Sequence, residues 1–110
     1  MKNYATTVVE AGIALTVCDL FIFVLKQVPK GGIDPVAMGN RIKLLDVVED
    51  VEIGAEIDFS PEQLIAMRDV WRASTAPAVD RGINKLRDEL EAAAVAKTSS
   101  SKKGPKAQSA

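Results

Sequence analysis

Histidine is absent from the 110 residues. Its absence removes the commonest general base near neutral pH and the commonest metal ligand. There is a single cysteine, Cys18, so no internal disulfide can form, and a reducing compartment is the simple expectation. Cys18 lies in the most apolar stretch of the chain and reads as a buried, inert thiol rather than a nucleophile. Aromatic residues make up only 5%, so the core must come mostly from Val, Ile, Leu and Ala. There is no glycine-rich phosphate loop: Lys30-Gly31-Gly32 lacks the Lys-Ser/Thr pair that would follow in a P-loop. No catalytic constellation is found, no cofactor is implied, and an enzyme is not expected.

Acidic residues are missing from the C-terminal tail. The tail from Lys97 to Ala110 carries Lys97, Lys102, Lys103 and Lys106 and no acid, so residues 1–96 hold 10 basic and 15 acidic side chains. An acidic body does not resemble a nucleic-acid-binding fold. The four tail lysines are candidates for weak, sequence-independent phosphate contact. The alternative is a solubilising end. Its Ser, Lys, Gly, Pro and Gln content is expected to leave residues 97–110 disordered.

Long uninterrupted apolar runs are also lacking. Val8 to Val28 is the one stretch long enough to raise a membrane question, but Glu10 and Asp19 interrupt it. A charge near a bilayer centre costs at least ~2.5 kcal/mol, so a spanning helix is not expected. Lys2 is the only early positive charge, and the N-terminus does not read as a signal peptide.

What is present is enough apolar residue, 47%, for one domain with one modest core. The clearest pattern occurs twice. Ile13-Ala14-Leu15-Thr16-Val17-Cys18-Asp19-Leu20 and Ile57-Asp58-Phe59-Ser60-Pro61-Glu62-Gln63-Leu64 each read as a short strand running into a capped helix. Thr16 with Asp19, and Ser60 with Gln63, have the spacing of capping boxes. Leu15 with Leu20, and Phe59 with Leu64, have the spacing of hydrophobic staples. A third helix start is Ile33-Asp34-Pro35, with Asp34 as cap, Pro35 at the first helical position and Ile33 stapled to Met38.

After a lead-in over residues 1–12, these signals predict strands over 13–16 and 55–59 and helices over 17–27, 35–50, 61–73 and 77–96. The two strands are expected to pair with each other into a small ribbon. The fold class is therefore mostly α with a two-stranded ribbon, in the order β-α-α-β-α-α, as a single compact domain over 13–96. The first helix is apolar nearly all round, with Val17, Leu20, Phe21, Val24 and Val28 on one face. Its polar strip is Asp19 and Lys26, and Phe23 lies between them, as the residue most expected to be exposed. Met38, Ile42 and Leu45 are expected to form the buried face of the second helix, and Gly39 to mark a close helix approach. Val79, Ile83, Leu86 and Leu90 give the last helix its apolar stripe.

The candidate functional residues are surface ones. Asp19, Ile22, Phe23 and Lys26 form one candidate partner surface, since an uncovered Phe23 would mark an interface. Asp46, Glu49 and Asp50 share a helical face, extended by Glu52, Glu56 and Asp58. They are either simply solvated or an acidic patch for a basic partner; a metal site would need converging oxygens. Trp71 is either core, by its spacing from Leu64 and Met67, or an interface anchor. The helices at 35–50 and 61–73 are too far apart for a helix-turn-helix.

The run Leu15-Thr16-Val17-x-Asp19-Leu20, then Phe23-Val24-Leu25, Pro29-Lys30-Gly31-Gly32 and Arg41-Ile42-x-Leu44-Leu45-Asp46, followed by Ala55 to Trp71, is similar to small proteins of tailed bacteriophages. The resemblance covers residues 13–72 and leaves the lysine-rich tail outside. It implies a viral origin and a structural, assembly or host-interaction role, in the host cytoplasm or the virion, and supplies no catalytic residues. The expected function is binding of protein, as a minor virion component, an assembly factor or an inhibitor of a host enzyme, with self-association as the simplest cover for the apolar first helix. The alternative is a small nucleic-acid-associated regulator using its basic tail.

Overall fold

A computed structural model describes residues 1–76 and 79–103, with side chains as far as Val95. It opens on a hairpin. β1 (Ala5–Glu10) and β2 (Ile13–Thr16) pair antiparallel, with Ala5 opposite Thr16, Val9 opposite Ala14 and Glu10 opposite Ile13. The turn between them needs two positive φ angles, 54° at Ala11 and 81° at Gly12. Glycine takes such an angle freely, whereas alanine does so at a cost of ~1–2 kcal/mol. The register shifts between Ala5 and Val9. Within that irregular part, Thr6 Oγ1 donates to the Leu15 carbonyl at 2.8 Å and accepts the Val8 N–H at 3.2 Å.

The two-stranded ribbon therefore forms, but from a different pair of strands. Residues 13–16 pair with 5–10, in the expected lead-in, and not with 55–59, so the element order is β-β-α-α-α-α. The physical reason is loop closure: a two-residue turn brings β1 to β2 at far smaller entropic cost than a connection through two helices. β1 also alternates, with Thr6 and Val8 buried and Thr7 and Val9 exposed. Residues 55–59 find a lesser partner in the first residues of the chain. Asn3 N–H donates to the Ala55 carbonyl at 2.9 Å, Gly54 N–H to the Asn3 carbonyl at 2.7 Å and Ile57 N–H to the Met1 carbonyl at 2.8 Å. Only one ladder bridge results, Lys2 with Glu56. The alternation there still governs burial, with Ile57 and Phe59 in the core.

Among the described residues four helices follow: α1 (Val17–Leu25), α2 (Pro35–Val48), α3 (Pro61–Arg72) and α4 (Arg81–Lys103). Both capping boxes form, at Thr16 with Asp19 and at Ser60 with Gln63. The start of α1 is unusually complete. Tyr4 carbonyl accepts Val17 N–H at 2.9 Å, Asn3 Oδ1 accepts Cys18 N–H at 3.0 Å and Thr16 Oγ1 accepts Asp19 N–H at 3.1 Å. Three of the four donors that a helix start leaves unpaired are thus met from β2 and the residues before β1.

α4 begins at Arg81, later than expected, where the Asp80 carboxylate accepts Gly82 N–H at 2.6 Å. Val79 precedes the helix and is fully exposed instead of forming part of the stripe; Ile83, Leu86 and Leu90 are buried. Pro77, the expected first helical residue, lies outside the described residues. At the other end α4 continues to Lys103, past the expected stop at Ala96. The Ala-rich run before it and the absence of Gly or Pro until Gly104 give no reason to stop sooner. The part of the expected disordered tail beyond Lys103 lies outside the described residues.

Phe21 sits at the centre of the core, its ring 5.9 Å from Phe59 in a tilted arrangement and 5.9 Å from Trp71 in a T-shaped one. Around it lie Val17, Leu20 and Val24 of α1, Leu44 and Val48 of α2, Leu64 and Met67 of α3, and Ile83, Leu86, Leu90 and Ala94 of α4. α4 packs along α3 and on β1.

The α2 face differs from the expected one. Leu44 and Val48 are buried, while Met38 and Ile42 are 47% and 50% exposed. The helix has apolar residues on more than one side, so periodicity does not choose its rotation. Arg41 does: one Nη donates to the Leu25 carbonyl at 3.2 Å and the Gln27 carbonyl at 2.6 Å. That contact satisfies carbonyls at the end of α1 and turns the neighbouring Leu44 inward. Val28, expected on the buried face of α1, lies beyond the end of that helix and is exposed. Gly39 approaches no other element among the described residues: a Cβ there would meet nothing within 4 Å.

Candidate functional site

Three concavities hold several of the candidate residues. The first lies between the ribbon and α1 and has a volume of about 570 Å³. Val8, Val9, Leu15, Leu20, Ile22 and Phe23 line it, with Glu10 and Asp19 on its rim. Phe23 is 45% exposed and Val9 61%, so the groove offers both an aromatic and a β-branched side chain to the surface. The Thr16 capping box aims α1 so that Asp19 faces outward, and the exposed position Phe23 follows one turn later. Asp19 Oδ2 is engaged by Thr16 N–H at 2.9 Å. Glu10 makes no ion pair among the described residues.

The second groove, about 380 Å³, lies between the end of α1 and the outer side of α2. Leu25, Val28, Ile33, Met38, Ile42 and Leu45 line it, with Lys26 and Arg41 as its cations. The third, about 730 Å³, is bounded by α1, α3 and α4. Leu20, Val24 and Trp71 form its apolar wall, and Arg72, Arg87, Asp88 and Glu91 its polar one. Here Arg72 holds Glu91 through two hydrogen bonds, at 2.7 and 2.5 Å, and Arg87 pairs with Asp88 at 3.0 Å. The carboxylate partner raises the affinity of Arg72 for its proton, and Arg72 in turn holds Glu91 below the usual carboxylate range. Each cation of this cavity already has its anion, so the cavity shows no free charge for a ligand.

The structure thus gathers Asp19, Ile22 and Phe23 in one groove and puts Lys26 in another. Asp46, Glu49 and Asp50 are exposed at the end of α2 and make no ion pair among the described residues. Trp71 is half-buried against Phe21 and also lines the third cavity. Lys97, Lys102 and Lys103 belong to α4, and Lys106 lies outside the described residues. Val9 and Glu10 complete the first groove and were not legible as site residues, because the signal that finds them is the strand alternation of 5–10.

The Cys18 thiol is buried, and burial, then the nearby Asp19 charge, pushes it up to about 11. It stays protonated and is a poor nucleophile at neutral pH. Among the described residues no group of three or more Cys, Asp and Glu side chains is placed to hold a metal ion. Among them, too, no helix is long and apolar enough to cross a membrane.

Compared with known proteins, the chain matches no protein-family model, no curated protein and no solved structure.

Proposed function

We propose that the chain is a non-enzymatic phage protein that acts by binding another protein through the groove between the ribbon and α1. The observation that carries this reading is Phe23, 45% exposed on a helix whose other large apolar side chains are mostly buried. Covering an exposed apolar side chain yields up to ~1.5–3 kcal/mol, and Val9 and Ile22 extend the gain. Glu10 and Asp19 on the rim favour a basic residue beside the apolar anchor of the partner. The partner segment is therefore an apolar side chain flanked by Lys or Arg. Such a protein works as a minor virion component, an assembly factor or an inhibitor of a host enzyme, in the host cytoplasm or the virion. The resemblance of residues 13–72 to small phage proteins supports that setting, and the lack of histidine supports a role outside acid–base catalysis.

The test is a paired affinity purification from bacterial cells with wild type and Phe23→Glu. A protein retained by the wild type and lost by the variant, at unchanged thermal stability of the variant, supports the reading. Recovery of the same proteins by both chains contradicts it.

A further inference from the structure

The second groove has a different character from the first, and its charges are arranged as their own complement. Along the outer side of α2 run Met38, Ile42 and Leu45, at helical spacing i, i+4, i+7, with Glu49 continuing the row. Val28 and Ile33 widen the apolar strip. Exposure is high: 67% at Val28, 47% at Met38 and 50% at Ile42. Cations lie at the N-terminal side, where Lys26 lines the groove and Lys30, in the turn before α2, lines the neighbouring concavity with Val28 and Thr75. Anions gather at the C-terminal side, as Asp46, Glu49 and Asp50. None of these five makes an ion pair among the described residues. Asp34, an acid at the basic end, already serves the helix itself by accepting Ala37 N–H at 2.9 Å.

We infer that this face binds a second copy of the chain, with the two α2 helices antiparallel about a two-fold axis beside Ile42. That arrangement alone brings each acidic end onto the other copy's basic end while Met38, Ile42 and Leu45 cover one another. At ~1.5 Å rise per residue, Glu49 of the second copy reaches the level of Pro35, and Asp46 of the second copy the level of Met38, which lines the groove together with Lys26. Opposed helix dipoles add to the preference for the antiparallel sense. Gly39 lies within the contact, and the open space around it lets the facing helix come close. An isologous interface of this kind uses one patch twice and closes at two copies. It leaves the Phe23 groove free, and the two surfaces stand or fall separately.

Sedimentation of the full chain over a concentration series tests the inference. Wild type is expected to dimerise, and Ile42→Glu to weaken the dimer about 10-fold or more. The charge swap fixes the geometry on exposed side chains that the fold does not need. Lys26→Glu alone and Asp46→Lys alone each place like charges together and dissociate the dimer; an equimolar mixture of the two restores it. A wild type that stays monomeric throughout overturns the inference, as does an Ile42→Glu chain that dimerises like wild type. Failure of the mixture to restore the dimer overturns the antiparallel pairing.

Discussion

Asn3 accepts the backbone N–H of Cys18 on its side-chain Oδ1 at 3.0 Å, and so caps a helix that starts 14 positions further along the chain. The same side chain donates to the Val51 carbonyl at 2.9 Å, and its backbone pairs with Ala55 and Gly54. One buried amide therefore joins the start of the chain, the start of α1 and the connection between α2 and α3. Asn3→Leu leaves the Cys18 N–H and the Val51 carbonyl without these partners, and an unsatisfied buried group costs ~1–3 kcal/mol. The expected loss is about 2–4 kcal/mol in urea-induced unfolding. The local cap Thr16→Ala is expected to cost only about 1 kcal/mol.

Gly82 reverses the usual helix rule. In an exposed helix, replacing glycine by alanine stabilises by up to ~1 kcal/mol. Here a Cβ at position 82 would collide with Thr7 Oγ1 and crowd the Asp80 carboxylate, which together form the contact between β1 and the start of α4 at 2.6 Å. Gly82→Ala is expected to destabilise by about 1–3 kcal/mol, the range for overpacking. Adding Thr7→Ala removes the obstructing oxygen and is expected to recover part of the loss in thermal unfolding.

Stability should fall at high pH. Burial is the main reason that the Cys18 thiol is pushed up to about 11 from an ordinary 9.0, and the Tyr4 phenol up to about 12 from 10.0, with its bond to Glu89 adding to the shift. Both groups are neutral when protonated and lose their protons more readily in the unfolded chain. Their contribution is thus complete below pH 9 and is lost as pH rises through 9 towards 12. At the acid end the signs are reversed. Asp80, bonded by Thr7, and Glu91, bonded by Arg72, are held below their ordinary values, so their contribution is present above those values and is lost as pH falls further. Melting temperature against pH is expected to decline at both ends, and Tyr4→Phe with Cys18→Ala should flatten the alkaline limb.

The helix starts were legible in the sequence because their chemistry is local. Thr16 with Asp19, Ser60 with Gln63 and Asp34 before Pro35 each act within one turn. Phe23 was legible as an exposed residue because it falls between Asp19 and Lys26 on the polar strip of α1. The strand partner was not, since 13–16 alternates equally well for any strand brought beside it, and only the turn at Ala11-Gly12 decides. That is also why Val9 and Glu10, two of the residues lining the ribbon groove, went unread. The rotation of α2 was hidden for a related reason: its apolar residues surround it, and the choice rests on Arg41 reaching the end of α1. Asn3 carries no periodic signal at all; its role exists only once the chain has folded.

The central claim is that the groove holding Phe23 meets another protein. A photoreactive benzophenone amino acid placed at position 23, and at the exposed position Glu62 of α3 as control, tests it directly in bacterial cells expressing the chain. The account requires a discrete cross-linked adduct with a second, different protein from position 23 and none from position 62. No adduct from position 23, or the same adducts from both positions, contradicts it.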